Sequence, residues 1–185
     1  MVEKTLKDAE HKMQTTLERA RHDFGAIRTG RANPAILESV MVDYYGTPTA
    51  INHLAAVAVP EPRLMTITPY DRQALAWIEK AIQKSDLNLT PTNDGQAIRI
   101  SIPPLTEERR KEMVKLLRKK AEEERVAIRN VRREAMEHLK AAEKKSEISE
   151  NEVKRAEQQI QKITEKYIAE VDKAEKSKEQ EIMEV

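Results

Sequence analysis

Apolar residues return at helical spacing throughout residues 106–145, a stretch that contains no Gly or Pro. At about 100° per residue these positions share one side of a helix. They are Met113, Leu117, Ala121, Ile128, Val131, Ala135, Leu139 and Ala142. A second stripe, about a quarter-turn away, consists of Arg118, Arg125, Arg129, Arg132 and Arg133. The pattern predicts a helix about 60 Å long with a core face and a basic face, which needs neighbouring helices for stability.

Two other stretches predict those neighbours. A seven-residue apolar repeat runs through residues 3–28, as in the seam of a helix bundle. It consists of Leu6, Met13, Ala20 and Ile27. Further along the chain, Ser149 and Glu152 have the spacing of a capping box, and apolar residues then continue at intervals of three or four to near the C-terminus. The sequence therefore predicts three long helices packed as an antiparallel bundle.

The chain between the first two helices has a different character. Short β-prone runs at 36–45, 53–59, 64–68, 87–90 and 98–102 are separated by turn residues. One helix interrupts them at about 71–85, with Asp71 as its predicted N-cap. Asn93-Asp94-Gly95 predicts a tight hairpin turn. We interpret Tyr44 and Tyr45, beside Gly46, as packing at a strand end in preference to a ligand platform.

These elements predict an α+β fold, a three-helix bundle with a small inserted β/α/β domain. The bundle comprises residues 1–29 and 106–185, and the inserted domain residues 30–105. Two linkers, near 29–33 and 102–105, join them and make a hinge plausible, because Gly30 suits a left-handed cap and paired prolines stiffen the return. The predicted hinge residues are Thr29, Gly30, Arg31, Pro103, Pro104 and Leu105.

Composition adds limits to this picture. Charged residues make up 35% of the chain and aromatic residues 3%, which favours long solvated helices over a thick core. The net charge is only +1, but residues 106–145 hold 14 Lys and Arg against 9 Asp and Glu, and residues 146–185 hold 7 against 11. There is no Cys, which excludes disulfides and thiol chemistry. No apolar run has the length of a membrane span and the first residues resemble no signal peptide, so we expect a soluble cytoplasmic protein.

Catalytic and cofactor chemistry has little support in the sequence. None of the four glycines lies in a phosphate-binding loop motif. The four histidines share no metal-ligand motif, and Glu134 with His138 would supply only two ligands. Helical carboxylates that face Lys one turn away are ordinarily solvated pairs. We expect no catalytic site, no cofactor and no metal.

The arginine stripe has two interpretations. Its members could pair with Glu122 and with the acidic C-terminal helix, or they could contact an outside partner. The use of Arg over Lys favours phosphate, which the guanidinium fork can bind in a bidentate manner. Aromatic residues do not interleave with the stripe, which favours the backbone of a folded RNA over stacked single-stranded bases. Arg28 and Arg31 could instead neutralise the C-terminal dipole of the first helix.

Several blocks of residues in fixed order resemble the bacterial ribosome recycling factor family, and the resemblance covers all 185 residues. The blocks include Ile27-Arg28-Thr29-Gly30-Arg31-Ala32-Asn33-Pro34, Tyr44-Tyr45-Gly46, Ile67-Thr68-Pro69, Ser85-Asp86-Leu87, Pro103-Pro104-Leu105-Thr106-Glu107-Glu108-Arg109-Arg110-Lys111 and Arg129-Asn130-Val131-Arg132-Arg133. Departures are mild. Asn33 stands where many members have His, and Tyr70 stands where another aromatic residue is common.

The resemblance implies an L-shaped monomer that binds the large ribosomal subunit across the vacated tRNA sites after termination. With elongation factor G and GTP it would split the ribosome for reuse, and it would have no membrane partner. It also implies that Arg28, Arg31, Arg110, Arg129, Arg132 and Arg133 contact ribosomal RNA phosphates. Two other hypotheses remain, a coiled-coil-like module for protein interaction and a small enzyme that uses carboxylates.

Overall fold

The structure is a computed structural model that describes residues 1–184. Its α-helices are α1 Val2–Gly25, α2 Ile51–Leu54, α3 Ala74–Lys84, α4 Glu107–Lys144 and α5 Glu150–Met183. Its strands are β1 Met41–Tyr44, β2 Thr47–Ala50, β3 Ala55–Glu61, β4 Leu64–Pro69, β5 Pro91–Asn93 and β6 Ile98–Ser101. The chain divides into two compact units: a helical unit of Met1–Ile27 and the chain from Lys111 onwards, and an α/β unit of Arg28–Arg110.

The helical unit is a bundle of α1, α4 and α5. Helix α4 has 38 residues, so it is about 57 Å long. The ion pairs between helices show the helix directions, because the residue numbers of the paired side chains rise along one helix and fall along its neighbour. They are Lys12 with Glu134, Arg19 with Glu124, Arg118 with Glu179, and Arg125 with Asp172. Helix α4 is therefore antiparallel to both α1 and α5, as the sequence predicted.

The bundle core consists of the apolar stripes of the three helices. Fully buried members include Met13, Ala20, Leu117, Ala121, Ile128 and Val171. Of the eight core positions predicted on α4, six are buried, and Met113 and Val131 are half-buried against the same cluster. Each large apolar side chain removed from water stabilises the unit by about 1.5–3 kcal/mol, so the stripe accounts for the association of the helices.

Local signals set the junction between α4 and α5. The amide of Glu152 donates to Ser149 Oγ at 3.1 Å, and the carboxylate of Glu152 accepts from the Ser149 amide at 3.4 Å, which confirms the capping box. Helix α4 ends in a Schellman motif with Ser146 in the left-handed region at φ +58°, and the amide of Glu147 donates to the Ala142 carbonyl at 3.0 Å. The first helix was predicted to reach residue 28 but ends at Gly25, a residue that favours helix poorly.

The α/β unit has a four-stranded antiparallel sheet of order β3-β4-β6-β5 and a two-stranded hairpin, β1-β2. Helix α3 packs against β1, β4 and β5. Side chains with no exposed surface fill the space between them, among them Met65, Ile67, Ile78, Ile82, Ile98 and Ile100. The predicted hairpin turn at residues 93–95 joins β5 to β6, and Gly95 has φ +89°, so this prediction is confirmed.

Several strand predictions in this unit are wrong. The run at 36–45 shrinks to β1, because Pro34–Leu37 forms a 3-10 helix. Strand β2 was not predicted. It contains Pro48, which lacks an amide hydrogen, and the two-stranded hairpin tolerates this residue. The run at 53–59 begins with the single turn α2. No strand forms at 87–90; pairing starts at Pro91, on the sheet edge, where proline is allowed.

Asp71 is not the N-cap of α3, which begins three residues later than the sequence predicted. Its Oδ1 accepts from the Gln73 amide at 3.0 Å, so it forms an Asx turn ahead of the helix. Its Oδ2 accepts from the Tyr44 hydroxyl at 3.1 Å. The carboxylate therefore joins the start of α3 to the β1-β2 hairpin.

Candidate nucleic-acid interface

Two arginines of the α4 stripe hold α4 to α5. Arg125 is 16% exposed, and its Nη1 lies 2.7 Å from both Asp172 Oδ1 and Glu175 Oε2. Its Nε lies 3.0 Å from Glu122 Oε2. Burial opposes the charge, but the hydrogen bonds that Arg125 donates to these carboxylates, Glu175 foremost, outweigh burial and raise the pKa of Arg125. Arg118 pairs with Glu179 at 2.9 Å. For these two arginines the pairing interpretation is confirmed.

Three arginines farther along α4 have no carboxylate of their own, in the described part of the chain, to neutralise their positive charge. Arg133 is exposed and forms no ion pair within residues 1–184. Arg132 is half-buried, and its Nη1 donates to the neutral amide oxygen of Gln161 at 2.9 Å. Arg129 is 45% exposed and lies 3.4 Å from Glu122, which it shares with Arg125. One turn of helix thus presents an excess of positive charge.

The neighbouring arginines lower the pKa of the Glu122 carboxylate. Its hydrogen bond from Arg125, with the nearby charges of Arg125 and Arg129, lowers the pKa of Glu122 below its usual value despite some desolvation. The carboxylate therefore stays ionised at neutral pH. It is exposed, so it offsets only a small part of the field of the three arginines.

Arg110 lies apart from this group. It is in the first turns of α4, on the helix side that carries the core residues, and it is half-buried. Its Nε is buried and has no hydrogen-bond partner within residues 1–184. Its predicted contact with RNA stays a prediction.

Arg28 and Arg31 belong to the α/β unit. A guanidinium nitrogen of Arg28 donates to the carbonyl of Leu87, so this half-buried side chain ties the start of the unit to the segment after α3. Arg31 is exposed. Arg129, Arg132 and Arg133 belong to the helical unit, and the contacts of Arg28 and Arg31 with RNA also stay predictions.

The two predicted linkers touch each other within the α/β unit. Gly30 has φ +81°, a conformation that favours glycine, and a Cβ there would make a tight contact of 3.3 Å with the backbone nitrogen of Leu105. The Ala32 amide donates to the Pro62 carbonyl and the Ile102 amide to the Arg63 carbonyl, each at 2.7 Å. Both linkers are thus anchored at the β3-β4 turn. The hinge stays a prediction.

Other candidate chemistry is sparse. Within residues 1–184, no group of three or more His, Asp or Glu side chains could hold a metal ion. The Glu134 carboxylate, one of the two weak metal candidates, lies 3.4 Å from Lys12. No helix among the same residues has the length and apolarity to cross a membrane.

Sequence reasoning missed an aromatic cluster. Tyr44 is half-buried, as the packing interpretation requires, but Tyr45 is 64% exposed. The ring of Tyr45 meets that of Trp77 edge-on, with centroids 5.0 Å apart. The sequence did contain one signal for it. Tyr45-Gly46 forms a two-residue hairpin turn, and such turns usually have Asn-Gly, so a tyrosine at the first position is unusual.

These features define a class: an α+β protein that presents a cluster of arginines on a helix bundle interrupted by an α/β insertion. The family model for ribosome recycling factor matches residues 20–183. Two curated relatives, the ribosome-recycling factors of Syntrophomonas wolfei and Carboxydothermus hydrogenoformans, are 55% and 54% identical over 185 residues, which is 100% of each chain.

Solved structures agree. A solution structure of a ribosome recycling factor is 46% identical, with TM-score 0.81 over 100% of this chain and 98% of the other. A second structure has the T. thermophilus ribosome recycling factor and E. coli elongation factor G on the E. coli post-termination complex; the matched chain is 48% identical, with TM-score 0.71 and 100% coverage of both. The chain belongs to the ribosome recycling factor family.

Proposed function

We propose that this chain binds the large subunit of the post-termination ribosome across the vacated tRNA sites and, with elongation factor G and GTP, separates the subunits. Family membership and the structure of a recycling factor with elongation factor G on a post-termination complex support this proposal. The chain would act as a monomer in the cytoplasm. It would catalyse no reaction of its own, since the partner GTPase supplies the free energy.

The observation that carries the proposal is the group of Arg129, Arg132 and Arg133. Arg133 has no ion pair within residues 1–184, and Arg132 has a neutral partner at 2.9 Å. Guanidinium groups without a strong internal ion pair can bind phosphate oxygens without first breaking one. Arg118 and Arg125 are committed to α5 and would contribute less. Ribosomal RNA phosphates are the ligands that suit such a surface.

The test is co-sedimentation with large ribosomal subunits across a salt series. We expect wild-type binding to weaken steeply with salt, because each neutralised phosphate releases counterions. Arg132→Glu and Arg133→Glu should each weaken binding about tenfold and lower the salt slope by about one. Arg155→Glu is the matched control, an exposed arginine on α5 that forms no ion pair within residues 1–184.

Circular dichroism serves as the fold control for all three variants. If the folded Arg132→Glu and Arg133→Glu chains bind like wild type at every salt concentration, this surface does not contact RNA. If wild type itself does not sediment with large subunits, the proposed function is wrong for this chain.

A further inference from the structure

The turn between β5 and β6 contains a dipeptide that is chemically labile in an unfolded chain. Asp94-Gly95 is the only place in this sequence where Gly follows Asp or Asn. In such a pair the backbone nitrogen of the Gly can attack Cγ of the Asp side chain, because Gly has no side chain to hinder the approach. The N–Cγ bond forms, the C–OH bond of the carboxylic acid breaks, and water leaves. Hydrolysis of the resulting succinimide returns either aspartate or isoaspartate.

The nitrogen that would attack is hydrogen-bonded in the folded chain. The Gly95 amide donates to Asn93 Oδ1 at 2.6 Å. The side-chain nitrogen of Asn93 donates in turn to Glu79 Oε2 on α3 at 2.8 Å. The Asn93 side chain therefore connects the Gly95 amide to a neighbouring helix. These contacts restrain the peptide plane between Asp94 and Gly95, and the nitrogen can turn towards Cγ only if they open.

The carboxyl group that would be attacked is also held by hydrogen bonds. Its Oδ1 accepts from the amides of Ala97 and Gln96, each at 2.9 Å, and Arg99 Nη1 lies 2.9 Å from its Oδ2. The backbone hydrogen bonds, from Ala97 foremost, and the charge of Arg99 lower the pKa of Asp94 despite some desolvation. An ionised carboxylate reacts poorly, because only the neutral acid can lose its oxygen as water. Both reacting groups are therefore restrained by the turn.

The turn leads directly into a buried strand. Ile98 and Ile100 of β6 have no exposed surface, and they lie opposite Asn93 and Pro91 of β5. In isoaspartate the main chain passes through the side-chain carbon, so the connection between the two strands becomes one carbon longer. The pairing of β5 with β6 would have to absorb this extra atom. Isomerisation at the exposed turn would therefore disturb the core of the α/β unit.

We propose that Asp94 is a site of isoaspartate formation which the native turn keeps unreactive, and that Asn93 and Arg99 are the side chains responsible. Local opening of the turn is enough to expose the site, since exposed hairpin ends open at a lower free energy than buried strands. The inference concerns the chemical lifetime of the α/β unit. It does not depend on the proposed function.

The test is a peptide map of the full chain after long incubation below the melting temperature. Trypsin releases residues 85–99 as one peptide, because no Lys or Arg lies between Lys84 and Arg99. Isomerisation leaves the mass of this peptide unchanged, whereas deamidation of Asn88 or Asn93 alters it. Isoaspartate is counted by methylation with an isoaspartyl methyltransferase. We expect the folded wild-type chain to form isoaspartate at least about tenfold more slowly than the same chain in concentrated urea.

Two variants release the two reacting groups separately. Asn93→Ala frees the Gly95 amide, and Arg99→Gln removes the positive charge beside the carboxylate. Each should raise the rate in the folded chain by about three- to tenfold. Each rate is divided by the rate of the same variant in urea, which removes differences in intrinsic reactivity. Gln96→Ala is the matched control, because this exposed side chain forms no hydrogen bond within residues 1–184 and the backbone amide is retained.

Ile78→Val distinguishes opening of the turn from unfolding of the whole unit. Ile78 on α3 is fully buried, so the smaller side chain lowers the stability of the unit without changing the turn. We expect this variant to isomerise at the rate of Gln96→Ala. If it reacts as fast as Asn93→Ala, global folding protects the site and the proposal is wrong. A folded wild-type chain that reacts as fast as in urea, or Asn93→Ala and Arg99→Gln chains that react as slowly as wild type, would also overturn it.

Discussion

We predict that Arg125 is a structural arginine, whereas later members of the same stripe are proposed to bind RNA, and Arg125→Met tests this distinction directly. Methionine keeps much of the side-chain length and removes the charge. In the wild-type chain the guanidinium lies 2.7 Å from carboxylate oxygens of Glu175 and Asp172 on α5. The variant breaks these contacts and leaves the carboxylates facing an apolar side chain.

The magnitude follows from exposure. Glu175 is 16% exposed, like Arg125, so their ion pair lies largely out of water and its loss should cost about 1–2 kcal/mol. Asp172 and Glu122 are each 56% exposed, and their pairs should add only a few tenths of a kcal/mol each. The total is about 2 kcal/mol, which for a chain of this size lowers the melting temperature by about 4–8 °C.

The assay is thermal unfolding followed by far-ultraviolet circular dichroism, which reports mainly the three long helices. Arg133→Met is the matched control, since Arg133 is exposed and unpaired within residues 1–184, and should shift the melting temperature by no more than about 1–2 °C. Binding to large subunits, measured well below the melting temperature, should show the opposite order: Arg133→Met should weaken binding more than Arg125→Met does. A stable Arg125→Met chain that has lost subunit binding would refute the division of the stripe into structural and contact arginines.

Two other substitutions in the helical unit have expected outcomes. Lys178 is 6% exposed, and burial lowers its pKa although Glu181, 3.5 Å away, opposes the shift; Lys178→Met should raise the melting temperature at neutral pH. Between the lowered pKa of folded Lys178 and the ordinary lysine pKa of 10.5, the unfolded chain binds more protons than the folded chain, so wild-type stability rises with pH in that range. The stability gained by Lys178→Met should therefore shrink as the pH rises, which urea titrations at several pH values would measure. Gln161→Glu should neutralise Arg132 and weaken large-subunit binding several-fold in a sedimentation assay, with Gln159→Glu as the control and little change in stability for either.

The helices were predictable because their signals are local. Apolar spacing marked the core faces, and the capping box of Ser149 and Glu152 marked the start of α5 to the residue. The ends without such a signal were less accurate, as for α1, which stops at Gly25. A helix makes its hydrogen bonds within one segment, so one segment of sequence contains most of what determines it.

The strands of the α/β unit were harder to predict because their partners are distant in sequence. Strand β4 pairs with β6, and Met65 lies opposite Ile100. The segment at 87–90 has apolar residues but no strand to pair with, whereas β5 contains Pro91 and pairs all the same, because its amide is not needed at the sheet edge. Intrinsic preference decides little when pairing and burial set the outcome.

The candidate site shows a similar limit. Arginines at seven-residue intervals along α4 face α5, and α5 runs antiparallel, so their expected partners descend by seven. This arithmetic gives Arg118 with Glu179, Arg125 with Asp172, and Arg132 with Glu165. The first two pairs form, at 2.9 and 2.7 Å. Spacing alone would therefore assign Arg132 to the structural set as well.

The side chain of Gln161 prevents that third ion pair. Its amide oxygen accepts from Arg132 at 2.9 Å, and its amide nitrogen donates to Glu165 Oε1 at 3.1 Å. The amide thus lies between the guanidinium and the carboxylate, and it orients Arg132 without neutralising it. A phosphate that approached Arg132 would have to displace only a hydrogen bond to a neutral group. One glutamine therefore leaves Arg132 without the ion pair to α5 that Arg118 and Arg125 form, and helical periodicity does not reveal this difference.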